Sequence, residues 1–148
     1  FGISGVNEPV TSNSTDYDNI VAQMVKAVLQ DEGLNGNCKF AVSPTTWELF
    51  DSAVNVTAVS PLVKDNRLKG YDYLATPYVA DATAGILGRA IFGDFSNVLF
   101  GNWGSLDFLV DPYTSGANAQ IKIHLNRWVD ILAQNPEGFA KCEHVSNS

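Results

Sequence analysis

Histidine, cysteine and paired carboxylates are the side chains that most often carry catalysis or bind a metal, and here they are few and scattered. The 148-residue chain has two histidines, His124 and His144, and neither has a second histidine or a cysteine at the spacing of a zinc site. The sequence contains no nucleophile elbow, phosphate-binding loop or dinucleotide fingerprint. A hydrolase that uses Asp94 and Asp111 is the enzymatic alternative, and only the two carboxylates favour it. We therefore predict no enzyme activity, no catalytic residue, no cofactor and no metal.

The net charge and the distribution of apolar residues argue against nucleic acid and membranes as partners. Nine Lys and Arg against 16 Asp and Glu give a net charge of −7, which is opposite to the basic surface that binds a phosphate backbone. No apolar run approaches the ~18 residues that cross a bilayer, and no basic-then-apolar segment opens the chain. We therefore expect no specific contact with nucleic acid and no membrane insertion. Because the chain begins at Phe1 and its one methionine is Met24, we also interpret it as a piece of a longer protein.

The two cysteines leave two alternatives open. Cys38 and Cys142 are either two free, buried thiols or one long-range disulfide formed in an oxidising compartment. The disulfide would fit a secreted binding module closed by Cys38–Cys142 and glycosylated at Asn13 and Asn55, which both begin acceptor sequences. One cysteine pair among 148 residues is no disulfide framework, so we favour the free thiols. Since no secretion signal opens the chain, we discount the two glycosylation acceptor sequences.

Two amphipathic helices are predicted in the first third of the chain. Apolar side chains recur at helical spacing from Tyr17 to Val28, after hydroxyl and acidic residues that are typical of a helix start. An alternating strand follows around Phe40, and Ser43-Pro44 then begins the second helix. Because the apolar faces of these elements would meet, we expect one core between the helices and a sheet. Its predicted members are Met24, Phe40, Trp47 and Phe50.

The rest of the chain favours strands. Residues 55–69 lose all periodicity and predict a long mobile loop, which is a common place for a functional contact. A tight turn is expected at residues 101–104, and the last strand, at 119–133, alternates apolar and polar side chains. The other expected strands span residues 71–75, 86–95, 97–100 and 106–110. Two early helices and many later strands predict an α+β fold.

A series of short motifs runs through the second half. In chain order they are Ile91-Phe92-Gly93-Asp94-Phe95-Ser96, Gly101-Asn102-Trp103-Gly104, Asp111-Pro112-Tyr113, Asp130 and Asn135-Pro136-Glu137-Gly138-Phe139-Ala140. This series resembles the C-terminal half of tailed-bacteriophage major capsid proteins, which have the Hong Kong 97-type shell fold. The helix–strand–helix pattern of the first half is similar to that family as well, although Gly138 stands where the family usually has alanine. The motif residues that carry the resemblance are Gly93, Asp94, Phe95, Ser96, Asp111, Pro112, Tyr113, Pro136, Glu137 and Phe139.

The resemblance implies a structural subunit of a phage or prophage icosahedral shell, located in the virion and, during assembly, in the host cytoplasm. Residues 1–125 would form the axial domain, with two helices packed on a mostly antiparallel sheet. Residues 126–148 would be a return strand toward the peripheral domain, poorly anchored because its sheet partners, like the family's arm, hairpin and spine helix, would precede Phe1.

The implied partners are copies of the chain in pentamers and hexamers, with no specific nucleic-acid contact. The isolated chain would be a monomer or a weak oligomer. The expected interface near the capsomer axis consists of Val59, Ser60, Pro61, Leu62, Val63, Lys64, Asp65, Asn66 and Arg67.

Overall fold

The computed structural model describes residues 5–31, 37–53, 62–65, 67–81, 87–111 and 121–146. Within them the chain forms two α-helices, nine β-strands and two 3₁₀ turns. The helices are α1 (Tyr17–Gln30) and α2 (Pro44–Ser52), and the 3₁₀ turns are Phe95–Asn97 and Pro136–Gly138. The strands are β1 (Asn7–Val10), β2 (Lys39–Val42), β3 (Val63–Lys64), β4 (Arg67–Leu68), β5 (Tyr71–Ala75), β6 (Leu87–Gly93), β7 (Val98–Asp111), β8 (Lys122–Ala133) and β9 (Phe139–Ser146).

Seven strands form one mixed sheet in the order β1-β9-β6-β2-β5-β4-β3. The β1–β9 and β2–β5 pairs are parallel, and the other four neighbouring pairs are antiparallel. The strands β7 and β8 form a separate two-stranded antiparallel sheet. Two helices with a mostly antiparallel sheet confirm the predicted α+β fold.

Both helices pack on the same face of the seven-stranded sheet and share one core with it. The side chain of Asp16 caps α1 by accepting a hydrogen bond from the Asn19 backbone N–H at 3.1 Å, and the apolar stripe of the helix is buried. Phe40 of β2 stacks on Phe92 of β6 with ring centroids 4.3 Å apart. Of the four predicted core residues, three are fully buried: Met24, Phe40 and Phe50.

The fourth predicted core residue, Trp47, is 41% exposed, so its placement in the core is wrong. The buried face of α2 carries Thr46 and Phe50 instead. The Thr46 hydroxyl donates to the Arg89 carbonyl at 3.1 Å, and the Ser43 hydroxyl accepts from the Arg89 backbone N–H at 3.1 Å. These bonds fix the first turn of α2 on β6 with its polar side inward. Trp47 lies about 100° further round the helix and reaches toward solvent.

Part of the predicted long loop is a β-hairpin. β3 and β4 pair with each other, and β4 extends the main sheet beside β5. Leu62 and Leu68 are buried in the core, and Asp65 adopts a φ of 52° in the turn between the strands. The prediction of a loop at 55–69 is therefore wrong for residues 62–65 and 67–69. Residues 54–61 and 66 lie outside the described part of the chain.

The chain divides into two compact units, Phe1–Asn97 with Gln134–Ser148 and Val98–Ala133. The first unit holds the helices and the seven-stranded sheet, and the second consists of β7 and β8. The predicted domain boundary at 125/126 falls inside β8. The expectation that residues 126–148 lack sheet partners is wrong for β9, which lies between β1 and β6 and buries Ala140, Cys142 and Val145 completely.

Candidate interface surfaces

The side chains that could do chemistry are spread over the molecule. His124 is exposed on β8, and Nδ1 of His144 lies 3.2 Å from Oδ1 of Asn13. Asp94 and Asp111, the pair considered for a hydrolase, belong to different units. Among the described residues, no three His, Cys, Asp or Glu side chains are placed to hold a metal ion. No helix in the same part of the chain is long and apolar enough to span a bilayer.

Both cysteines are buried, and no disulfide joins them. Cys142 is fully buried in β9, and this burial raises the pKa of its thiol, so the thiol stays protonated and unreactive at neutral pH. The alternative of a module closed by a Cys38–Cys142 disulfide is therefore wrong.

The motif Gly93-Asp94-Phe95-Ser96 forms the corner at the end of β6. The Asp94 side chain is almost completely buried, and its Oδ1 accepts hydrogen bonds from the Ser96 backbone N–H at 3.0 Å and the Ser96 hydroxyl at 2.7 Å. A Cβ on Gly93 would lie 2.4 Å from the Phe139 ring, so the close approach of β9 requires glycine. The rings of Phe95 and Phe139 meet edge to face with centroids 5.7 Å apart. Packing and turn geometry thus account for these motif residues.

The motif segment Asn135-Pro136-Glu137-Gly138-Phe139-Ala140 forms the other side of the same corner. Pro136 begins a 3₁₀ turn, where its fixed φ is favourable. The Glu137 carbonyl accepts a hydrogen bond from Nδ2 of Asn7 at 2.8 Å. The Gln134 N–H donates to the Asn97 carbonyl at 2.9 Å, so the chain leaves and re-enters the first unit at adjacent points.

β7 and β8 form a long antiparallel hairpin of 14 and 12 residues. The register runs from Val98 opposite Ala133 to Asp111 opposite Lys122. The predicted tight turn at 101–104 is wrong, because β7 continues through it and only a bulge, where Gly104 has a φ of 74°, interrupts the pairing. The motif residues Pro112 and Tyr113 lie outside the described part of the chain.

One face of this hairpin is apolar. Side chains alternate between the two faces of each strand, and residues paired across the strands share a face. The alternation places apolar residues of β8 on one side, interrupted only by Arg127. We call this surface the apolar face. Ala133 at its end is buried, and its eight larger apolar residues are Val98, Phe100, Phe108, Val110, Ile123, Leu125, Val129 and Ile131. Apart from Val98, they are between 46% and 60% exposed.

The opposite face combines polar side chains with two tryptophans and three leucines. Trp103 stands directly across from Trp128, and both indoles are exposed. A carboxylate flanks this pair on each side, from Asp107 and Asp130. We call this surface the mixed face, and its members are Leu99, Gly101, Trp103, Asp107, Leu109, Asp111, Lys122, His124, Asn126, Trp128, Asp130 and Leu132.

A two-stranded hairpin is marginally stable at best unless something packs against it. Burying one large apolar side chain contributes about 1.5–3 kcal/mol, so seven such side chains left half exposed forgo a large stabilisation. Contiguous exposed apolar patches beyond a few hundred Å² mark interaction surfaces in soluble proteins. The apolar face is therefore the strongest candidate interface in the described residues.

The face of the seven-stranded sheet opposite the helices differs from it in chemistry. Lys141 Nζ lies 3.3 Å from Oε2 of Glu8, and Arg89 Nη2 lies 3.5 Å from Oε2 of Glu143. These partly exposed ion pairs contribute about 0–1 kcal/mol each, and they suit a surface that meets water. The contrast favours the hairpin as the surface that needs a partner.

The predicted axial interface is only partly described. Leu62 is buried in the core, whereas Lys64, Asp65 and Arg67 are exposed in the β3–β4 hairpin. The Arg67 guanidinium pairs with Asp72 at 3.0 Å. Val63 is half-buried beside the core, and Val59, Ser60, Pro61 and Asn66 lie outside the described residues.

Sequence reasoning missed the apolar face as a functional surface. The signal was present, because residues 121–126 alternate strictly between apolar and polar side chains. That alternation predicts a strand with one covered face, but it does not reveal what covers that face.

Comparison with known proteins gives one family and many structures. A family model described as the Phage capsid family matches residues 2–143. No curated protein sequence matches the chain. A solved structure of Mycobacterium phage Che8 is similar over 95% of this chain and 54% of its own, with a TM-score of 0.67 and 11% identity.

Two further structures show the same likeness. A virus-like particle from Pyrococcus furiosus is similar over 95% of this chain and 57% of its own, with a TM-score of 0.61 and 10% identity. The capsid of an empty GTA particle, computed with C5 symmetry, is similar over 86% of this chain and 44% of its own, with a TM-score of 0.60 and 18% identity. The chain thus spans about half the length of the structures that it matches. At these identities the likeness is one of fold.

Proposed function

Since the chain belongs to the phage capsid family and has the Hong Kong 97-type shell fold, we propose that it is a structural subunit of the icosahedral shell of a phage or prophage. Its role is to associate with copies of itself in pentamers and hexamers, without enzymatic chemistry. Its place is the virion, and during assembly the host cytoplasm. The likeness to a capsid computed with C5 symmetry and to a virus-like particle supports repeated contacts of this kind.

The observation that carries the proposal is the apolar face of the β7–β8 hairpin. A hairpin with seven large apolar side chains 46–60% exposed suits a protein whose final environment is an assembly. Subunit contacts that persist for the life of a particle are large and apolar, and they resemble a domain core cut in two. The apolar face has that composition.

We assign the two units different roles in the shell. The first unit, with its own core, takes the axial role, and its exposed β3–β4 hairpin meets neighbouring copies near the capsomer axis. Lys64, Asp65 and Arg67 supply charges of both signs there, which lets like charges avoid one another around a ring. The second unit supplies the surface that is buried when the rest of the shell packs on it.

The test is assembly of the product of the complete coding sequence, with two matched substitutions in the hairpin. Leu125 on the apolar face and Leu109 on the mixed face are 59% and 61% exposed, so Leu125→Ser and Leu109→Ser remove the same atoms from opposite sides. Fully burying a leucine side chain contributes about 1.5–3 kcal/mol, so its loss from each subunit interface should be measurable.

Sedimentation should show closed particles for the unmutated protein and for Leu109→Ser. Leu125→Ser should lose them or need a much higher protein concentration. A complete absence of particles from the unmutated protein would contradict the proposed function. Equal assembly of the two variants would contradict the part played by the apolar face.

A further inference from the structure

The centre of the apolar face carries a charge. Arg127 is the third of the six β8 residues on that face, with Leu125 on one side and Val129 on the other. Its Nε donates to Oδ1 of Asn102 at 2.9 Å. Asn102 lies on the same face, opposite Val129, which fixes the guanidinium over the apolar face.

This arginine constrains whatever covers the face. A guanidinium has five N–H donors, and the bond to Asn102 uses one of them. In water the other donors are hydrated, but a cover that expels water must replace those bonds or leave a buried charge uncompensated. A carboxylate is the group that matches the planar fork of a guanidinium best.

The same geometry argues against one obvious cover, the apolar face of a second copy. Two identical faces that pack on each other are related by a twofold axis, so each residue near the axis meets its own counterpart. Arg127 is central, so the pairing that buries most apolar surface brings two guanidinium groups together. Like charges in a water-poor contact are strongly unfavourable.

We propose that Arg127 determines what covers the apolar face: it requires a segment that presents a carboxylate among apolar side chains, and it excludes the apolar face of a second copy. This inference rests on the proposed role of the face as a shell interface. It adds the chemistry of the partner and predicts that the free subunit does not pair through this surface.

The 148-residue chain itself can test the inference by sedimentation equilibrium. Arg127→Leu completes the apolar face and should raise the self-association constant at least tenfold over the unmutated chain. His124→Leu adds the same side chain to the mixed face and serves as the matched control, with a change below about threefold. An Arg127→Leu variant that associates no more strongly than the His124→Leu control would overturn the exclusion of a second copy.

A charge swap tests the requirement for a carboxylate. Arg127→Glu places a carboxylate at the centre of an otherwise unchanged apolar face, so this variant serves as the probe. When it is mixed with the unmutated chain, the mixed dimer should be at least tenfold tighter than either dimer of like copies.

Equal association of the mixed and like pairs would overturn the carboxylate requirement. Raising the salt concentration should weaken the mixed dimer, because the contact is ionic. Both results are independent of shell formation, so a failure here is distinguishable from a failure of the proposed function.

Discussion

The two large aromatic side chains of α2 offer a direct test of how the core is built. Phe50 is fully buried, and its ring lies 5.9 Å from that of Tyr17 on α1. Trp47, one turn earlier on the same helix, is 41% exposed. Phe50→Ala therefore removes a buried ring from α2, and Trp47→Ala removes a partly exposed ring from the same helix.

The expected costs differ because only one truncation leaves a cavity. Phe50→Ala removes a ring that is enclosed by protein, so it loses both the transfer free energy and the packing of the cavity walls, about 3–5 kcal/mol. Trp47→Ala opens a space that water can enter, and only part of the indole loses its cover. We expect that truncation to cost about 1–2 kcal/mol.

Urea unfolding followed by far-ultraviolet circular dichroism measures both values without relying on the fluorescence of the deleted indole. The two variants should keep the m-value of the unmutated chain and differ in their midpoints. A Trp47→Ala loss equal to or greater than that of Phe50→Ala would show that Trp47 is a core residue. The assignment of Thr46 and Phe50 to the buried face of α2 would then be wrong.

Three further outcomes follow from the structure. Gly93→Ala should lower the free energy of unfolding by about 1–3 kcal/mol, because its Cβ would meet the Phe139 ring and a backbone carbonyl. Gly101→Ala is the control: its Cβ meets only the movable tip of an indole, so the free energy of unfolding should change by less than about 0.5 kcal/mol. Equal losses in chemical denaturation would contradict the packing of the motif corner. Cys38 and Cys142 should resist alkylation in the native chain and both react in urea, with the same mass before and after reductant, whereas a mass gain only after reduction would reveal a disulfide. Analytical ultracentrifugation of the 148-residue chain should find a monomer or a weak oligomer and no closed shells, and closed particles would show that the hairpin finds its cover within copies of this chain.

Local signals in the sequence were enough to predict both helices and the Ser43 cap of α2, whereas the capping box read at Thr15-Asp16-Tyr17-Asp18 is displaced by one residue, because Asp16 caps α1. The adjacent residues Ser43 and Pro44 are a typical helix start, and α2 begins there. The apolar side chains from Tyr17 to Val28 recur at helical spacing over three turns of α1. Such features depend on neighbours within a few residues, so a single sequence contains them. The fold class follows from the same elements.

Nonlocal features were not predictable in the same way. β9 pairs with β1, which lies more than 100 residues earlier in the chain, and no local pattern records a parallel partner at that distance. Trp47 was misplaced because size and hydrophobicity favoured burial, while hydroxyl bonds to Arg89 decided which side of α2 faces the sheet. The apolar face was missed for a related reason: alternation along a strand indicates a covered side but not the molecule that covers it.

An electron-microscopy reconstruction of particles purified from cells that express the complete coding sequence tests the central claim most directly. We predict closed shells in which density from another part of the assembly covers Phe108, Leu125 and the other residues of the apolar face, with a carboxylate beside Arg127. Shells in which this face remains open to solvent would contradict the assigned interface. Purified protein that forms no particle under any condition that preserves its fold would contradict the proposed function itself.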